Sequence, residues 1–273
     1  MTSKATITLR AILFSIVCPI ILIFVAPLAK AVPMTGPLLV GSVASILTFA
    51  LTILFVHWDG LSLRAVGCGF SKRTAPRLLF GFAIGAALVA LENFVIYSGG
   101  HAHWVLANSR PSLGAILIAF AGYLALALRE ELGFRGYSLR RMEDAWGLWP
   151  ALLVIGAFFT LEHTAGGWTW SRTLLGPPAG ALVFGMAALA TRGLAVPVGI
   201  HAAFNFGQWF MGQKGTQSPF KLVVDPGFAR QAETLGYIGY LAGMIAVAVA
   251  FWFWRKRAIS KGSLHNEGVH GTV

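Results

Sequence analysis

Three short stretches of this chain place ionisable or amide side chains inside otherwise apolar sequence: Arg129-Glu130-Glu131-Leu132-Gly133-Phe134-Arg135, Phe159-Thr160-Leu161-Glu162-His163 and His201-Ala202-Ala203-Phe204-Asn205. On a helix, residues four apart share a face, so Glu131 and Arg135 can neutralise one another. Glu130 is turned about 100° away and faces elsewhere. His201 and Asn205 have the same four-residue spacing and can point into one small volume. A free carboxylate, two imidazoles and a carboxamide suit hydrolysis of an acyl bond by activated water. Glu130 would take the proton, His163 would hold the water and shuttle that proton, and His201 with Asn205 would donate to the oxyanion. Each such donor is worth roughly 10² to 10³ in rate. Neither an activated serine nor an activated cysteine accompanies them.

These residues need elements that bring them together. The chain has 273 residues, of which 56% are hydrophobic and only 11% charged, far from the charge content of water-soluble domains. Apolar runs at 11–29, 34–57, 78–97, 113–131, 149–165, 177–191, 194–211 and 235–254 are each near the length of a spanning helix. The expected fold is therefore all-α: a polytopic membrane bundle of about eight helices. The sixth and seventh form a hairpin around Arg192-Gly193. With the N-terminus in the cytoplasm, fifteen Lys and Arg fall in inside segments and six in outside ones, which places both termini inside. Net charge +11 thus reflects membrane topology, and no nucleic-acid partner is expected. Counting 1.5 Å per residue from the inside ends puts Glu130, His163, His201 and Asn205 roughly 12 to 20 Å deep, on three helices.

In this order, Glu130-Glu131-x-x-x-Arg135, Phe159-x-x-x-His163 and His201-x-x-x-Asn205 resemble the CPBP family (CAAX protease and bacteriocin-processing, or Abi) of intramembrane proteases, which includes the CAAX prenyl endopeptidases. The resemblance implies a glutamate-dependent endopeptidase whose site opens to the cytoplasm. Glu130 then corresponds to the catalytic glutamate, His163 to its helper in activating water, and His201 with Asn205 to the oxyanion pair. Glu131, Arg135 and Phe159 become supporting residues. The family has often been described as metalloproteases, and two histidines with a glutamate could ligate zinc. The four groups have sufficient roles without one, so neither metal nor cofactor is expected. The implied partners are membrane lipid and a membrane-associated or lipidated peptide.

Other polar residues are secondary candidates. Glu162 could be a rival base, a partner for Arg172 or simply exposed near the bundle interior. Glu92, beside Asn93, reads better as interhelical hydrogen bonding than as a substrate contact. Cys18 and Cys68 suggest neither a disulfide nor a metal site, and the histidines at 57, 101, 103, 265 and 270 are ordinary polar residues. Residues 11–26 followed by Ala29-Lys30-Ala31 only faintly resemble a cleaved signal peptide, because the run nearly spans. An aspartyl dyad is not expected, since Asp59, Asp144 and Asp225 all fall in expected loops, and His-Glu-x-x-His is absent. Residues 1–261 form one membrane domain with its motifs in 113–211, and 262–273 read as a disordered cytoplasmic tail. A silent scaffold or regulator of the same fold, and a small-solute transporter using Glu92 and Glu130, are the competing functions.

Overall fold

Residues 2–32, 35–215 and 217–260 are described by a computed structural model. In chain order they form α1 (Lys4–Val25), α2 (Leu28–Ala31), α3 (Gly36–Trp58), α4 (Thr74–Gly99), β1 (Ala102–Leu106), α5 (Leu113–Glu131), a π-helical turn (Leu132–Gly136), α6 (Tyr137–Trp146), α7 (Leu148–Ala165), α8 (Trp170–Leu175), α9 (Pro177–Thr191), α10 (Ala195–Phe210), β2 (Phe220–Val224) and α11 (Ala229–Ser260). The tail expected to be disordered lies outside the described residues.

Seven helical stretches are long and apolar enough to cross a bilayer. The remaining expected span, the seventh apolar run, is α10, which has only 16 residues. The all-α membrane bundle is therefore the fold. Large apolar side chains cover its outside, among them Phe24, Leu79, Phe94 and Leu153, each more than half exposed. In a protein with no water around its waist these contact lipid tails. Trp146, Trp149, Trp168, Trp170 and Trp254 are exposed close to helix ends, as interfacial aromatics should be.

One element was not expected. β1 and β2 pair antiparallel, with Ala102 opposite Val224 and Leu106 opposite Phe220. The pair ties the segment after α4 to the segment after α10, and the Trp104 indole N–H donates to the Met211 carbonyl at 2.9 Å.

Helix approach is set by small residues. A Cβ on Gly85 would collide with the Ile200 carbonyl oxygen, and one on Gly199 with the Leu78 carbonyl oxygen. Only glycine allows α4 and α10 to touch backbone to backbone, and this contact fixes where His201 points. The hairpin expected at Arg192-Gly193 is present: Arg192 adopts φ 53°, a left-handed conformation, between α9 and α10.

At the end of the bundle where α3 meets α6, Asp59 gathers three partners. Arg10 pairs with it, the Tyr137 hydroxyl donates at 2.8 Å and Arg141 Nε donates at 2.8 Å. Burial alone would raise the Asp59 carboxyl pKa, but these partners outweigh it and hold the group below the usual carboxylate range. A depressed folded-state pKa gives stability that is present above the unfolded value and lost as pH falls through the folded one. Asp59→Asn is therefore expected to cost about 1–3 kcal/mol at neutral pH. The deficit against wild type should shrink on acidification below the folded pKa. Thermal midpoints in detergent across pH check this, and a deficit that does not change with pH would show that charge is not its cause.

Candidate active site

The site begins at the end of α5, whose start is capped by Ser112 Oγ accepting from the Ala115 amide. Directly after Glu131 the helix widens into the π turn, which releases backbone carbonyls from the ordinary ladder. Ser138 answers this: its hydroxyl lies 3.1 Å from the Gly133 carbonyl and 3.3 Å from that of Phe134. The chain then continues as α6, so one interrupted helix carries Glu130, Glu131 and Arg135 through the bundle.

Glu131 is fully buried and has two partners. The His201 Nδ1 atom lies 2.9 Å from its Oε1, and Arg135 Nη1 lies at 3.5 Å from the same oxygen. The expected pairing with Arg135 is present, but the shorter contact is to His201. The Arg135 guanidinium centres 4.1 Å from the Phe159 ring and 5.3 Å from that of Phe184. Phe159 thus acts as an aromatic shelf for a buried cation, a concrete role for the first residue of its motif. Phe184, on α9, also stacks on the His201 ring at 4.4 Å with planes 14° apart.

Glu162 is buried rather than exposed, and its partner is not Arg172. It receives both terminal nitrogens of Arg129, one at 2.6 Å, joining α7 to α5 in a buried ion pair. Arg172 lies on the exposed α8 and is not its partner. Sequence reading could not find this contact, because the two residues are remote along the chain and nothing local links them.

Of the three carboxylates here, Glu131 and Glu162 have arginine partners and Glu130 has none. Its Oε2 lies 3.7 Å from His201 Nε2 and makes no hydrogen bond within the protein. Glu130 also interacts electrostatically with His163, so α5, α7 and α10 converge as the spacing suggested. The His163 Nδ1 is 2.8 Å from the Phe159 carbonyl oxygen. A carbonyl only accepts, so the proton sits on Nδ1, and Nε2 of the neutral ring is left as a proton acceptor. The same reasoning puts a proton on His201 Nδ1, facing Glu131.

Asn205 has a partner that its sequence context does not suggest. Its Oδ1 accepts from Lys214 Nζ at 2.9 Å. Lys214, which in sequence reads as one of the six cations of the outside segments, follows α10 and folds back over the site. Burial pushes its ammonium pKa below the usual lysine range, with the charge of Glu130 opposing that shift. Its Nζ lies 5.9 Å from the Trp168 ring, which in turn meets His163 at 5.1 Å.

Glu92 is elsewhere. Both of its oxygens accept from Gln208 Nε2, at 3.3 and 3.2 Å, and Asn93 donates to its own helix at Val89. This is the interhelical hydrogen bonding expected of a buried carboxyl between α4 and α10. Asp144 lies within α6 rather than in a loop and pairs with Arg141. As for zinc, no three His, Cys, Asp or Glu side chains among the described residues are grouped to hold a metal ion.

No curated protein and no solved structure is similar enough to match the chain. Residues 112–207, roughly a third of the chain, match the family described as Rce1-like, type II CAAX prenyl endopeptidase. That segment holds Glu130, Glu131, Arg135, Phe159, Glu162, His163, His201 and Asn205 and stops short of Lys214. Residues 112–207 of this chain are therefore similar to the Rce1-like CAAX prenyl endopeptidases, in keeping with the resemblance to the CPBP intramembrane proteases.

Proposed function

We propose that this chain is an intramembrane endopeptidase that hydrolyses a peptide bond in a membrane-tethered, lipidated peptide, with Glu130 as general base. One observation carries the reading: Glu130 alone among the site carboxylates lacks an arginine, and it faces an imidazole with an oxygen to spare. A water held by Glu130 and His163 Nε2 attacks the carbonyl carbon as its proton passes to Glu130. The oxyanion receives hydrogen bonds from His201 and from the Asn205 amide. In this role His201 carries both ring protons, one toward Glu131 and one toward the substrate. Collapse of the tetrahedral intermediate breaks the C–N bond, and the proton on Glu130 goes to the leaving amine. No feature of the geometry favours the scaffold or transporter reading, since Glu92, the second proton carrier of the latter, is tied to Gln208.

The direction of access departs from what the resemblance implies. Residues 131–142 are all buried and close the site on the side of Asp59 and Arg141. Trp168 and Lys214 reach it from loops at the opposite end. His163 is two residues from the end of α7 there, and roughly 22 Å from Leu148 at the other end. If the cation-rich end is cytoplasmic, the mouth faces away from the cytoplasm. Ser171→Cys, on exposed α8, is then expected to react with a membrane-impermeant maleimide in intact cells. Labelling only after permeabilisation would reverse the orientation and restore a cytoplasmic mouth.

The function itself is tested by comparing membrane peptides from a deletion strain and a Glu130→Gln strain. A shared set of uncut precursors is expected. Precursors missing from the Glu130→Gln strain would replace the protease reading with the scaffold one.

A further inference from the structure

We propose that Lys214 is a positioning residue for the oxyanion site, fixing which end of the Asn205 carboxamide faces the substrate. The inference rests on the endopeptidase reading and adds a residue that the family match does not include.

A carboxamide has nearly the same shape in its two flipped orientations, yet they are opposite in function. With Nδ2 toward the substrate it stabilises an oxyanion; with Oδ1 there it repels one. His201, one turn earlier on α10, faces Glu131 and Glu130 and does not contact the Asn205 amide. The partner that decides is Lys214. An ammonium only donates, so the amide atom 2.9 Å from Nζ is the oxygen, and the NH₂ group points the other way. The cation also polarises the amide, which strengthens the remaining N–H donors.

The lysine is presented by a braced loop. Gly212 has φ 73°, and a Cβ there would strike the Phe220 carbonyl oxygen. The Gln213 amide donates back to the Gln208 carbonyl at 2.9 Å, and Trp104 of β1 holds the Met211 carbonyl. Through Trp168 the same ammonium borders His163. The strand pair, whose place in a membrane hydrolase is otherwise unexplained, thereby becomes the support that keeps this loop over the site.

The test uses full-length protein in liposomes and an internally quenched prenylated CAAX peptide. Lys214→Met is expected to lower kcat by roughly 10- to 100-fold, below the loss for removing a donor itself, with KM nearly unchanged. Lys214→Arg, still a cationic donor, should recover most of the rate, and Lys214→Gln, a neutral donor, part of it. Adding Lys214→Met to Asn205→Ala should cost nothing further, because the amide to be oriented is gone. Unimpaired kcat in folded Lys214→Met, a loss confined to KM, or multiplicative losses in the double variant would each overturn the proposal. If Lys214→Met does not fold, the Arg and Gln variants decide, and equal rates for those two would count against it. Failure of wild type to cut the peptide would remove the endopeptidase reading together with this one, whereas an active wild type with an unaffected Lys214 series removes only this one.

Discussion

Glu130→Gln is expected to reduce peptide cleavage by about 10³-fold or more while leaving the protein folded in the membrane. Glutamine keeps the size of the side chain and its carbonyl oxygen but cannot accept the proton of an attacking water. Little structural cost should follow, because Glu130 has no arginine to leave stranded. Its nearest charged contact, His201 Nε2, is 3.7 Å away, beyond hydrogen-bond distance. Purified wild type and variant, compared by gel filtration and thermal midpoint as well as by cleavage, separate lost chemistry from lost fold. Retained activity in the variant would move the base to His163, whose Nε2 is bare. It would not move it to Glu162, because that carboxylate is held in an ion pair by Arg129.

Much of this arrangement was legible because the bilayer makes polar sequence conspicuous. The eight apolar runs became eight helical stretches, since length and apolarity alone decide whether a segment can hide its backbone in lipid. Spacing paired Glu131 with Arg135, because this is a contact within one helix. Contacts between remote segments carried no such signal. The Arg129–Glu162 pair joins two helices at no fixed spacing, and Glu131 meets His201 only because glycines let α10 approach α4. The π turn after Glu131 was invisible as well, since one extra residue per turn barely alters a hydrophobic period. The strand pair was missed for a different reason. Ala102–Leu106 and Phe220–Val224 are five residues each and sit among loop residues, so only the pairing of two distant segments makes them strands.

Lys214 shows the same limit at the level of chemistry. A lysine beyond the last apolar residue of a span reads as an interfacial cation. Gly212 and Gly215 on either side were the only local hint of a chain turning back, and glycines at span ends are common. The role follows from which atom of Asn205 the ammonium touches, and only coordinates supply that.

The second large effect is structural. Glu131→Gln is expected to lower folded yield sharply and to destabilise the purified protein by about 3–5 kcal/mol, a drop on the order of 10 °C in thermal midpoint. The glutamine oxygen can still accept from His201 Nδ1, so the loss comes from charge. Arg135 is 2% exposed and sits against the Phe159 and Phe184 rings, and neither of its terminal nitrogens has a hydrogen-bond partner. Ring faces attract a guanidinium but do not neutralise it, so without the Glu131 charge a cation is left nearly alone at membrane depth. Removing both charges tests this account. In Glu131→Gln/Arg135→Met the stranded cation is gone, so folded yield should return toward wild type even though each single change costs stability. Equal yields of wild type and Glu131→Gln would instead mean that water or lipid headgroups already compensate Arg135. The glutamate pair would then not divide into one residue for chemistry and one for structure.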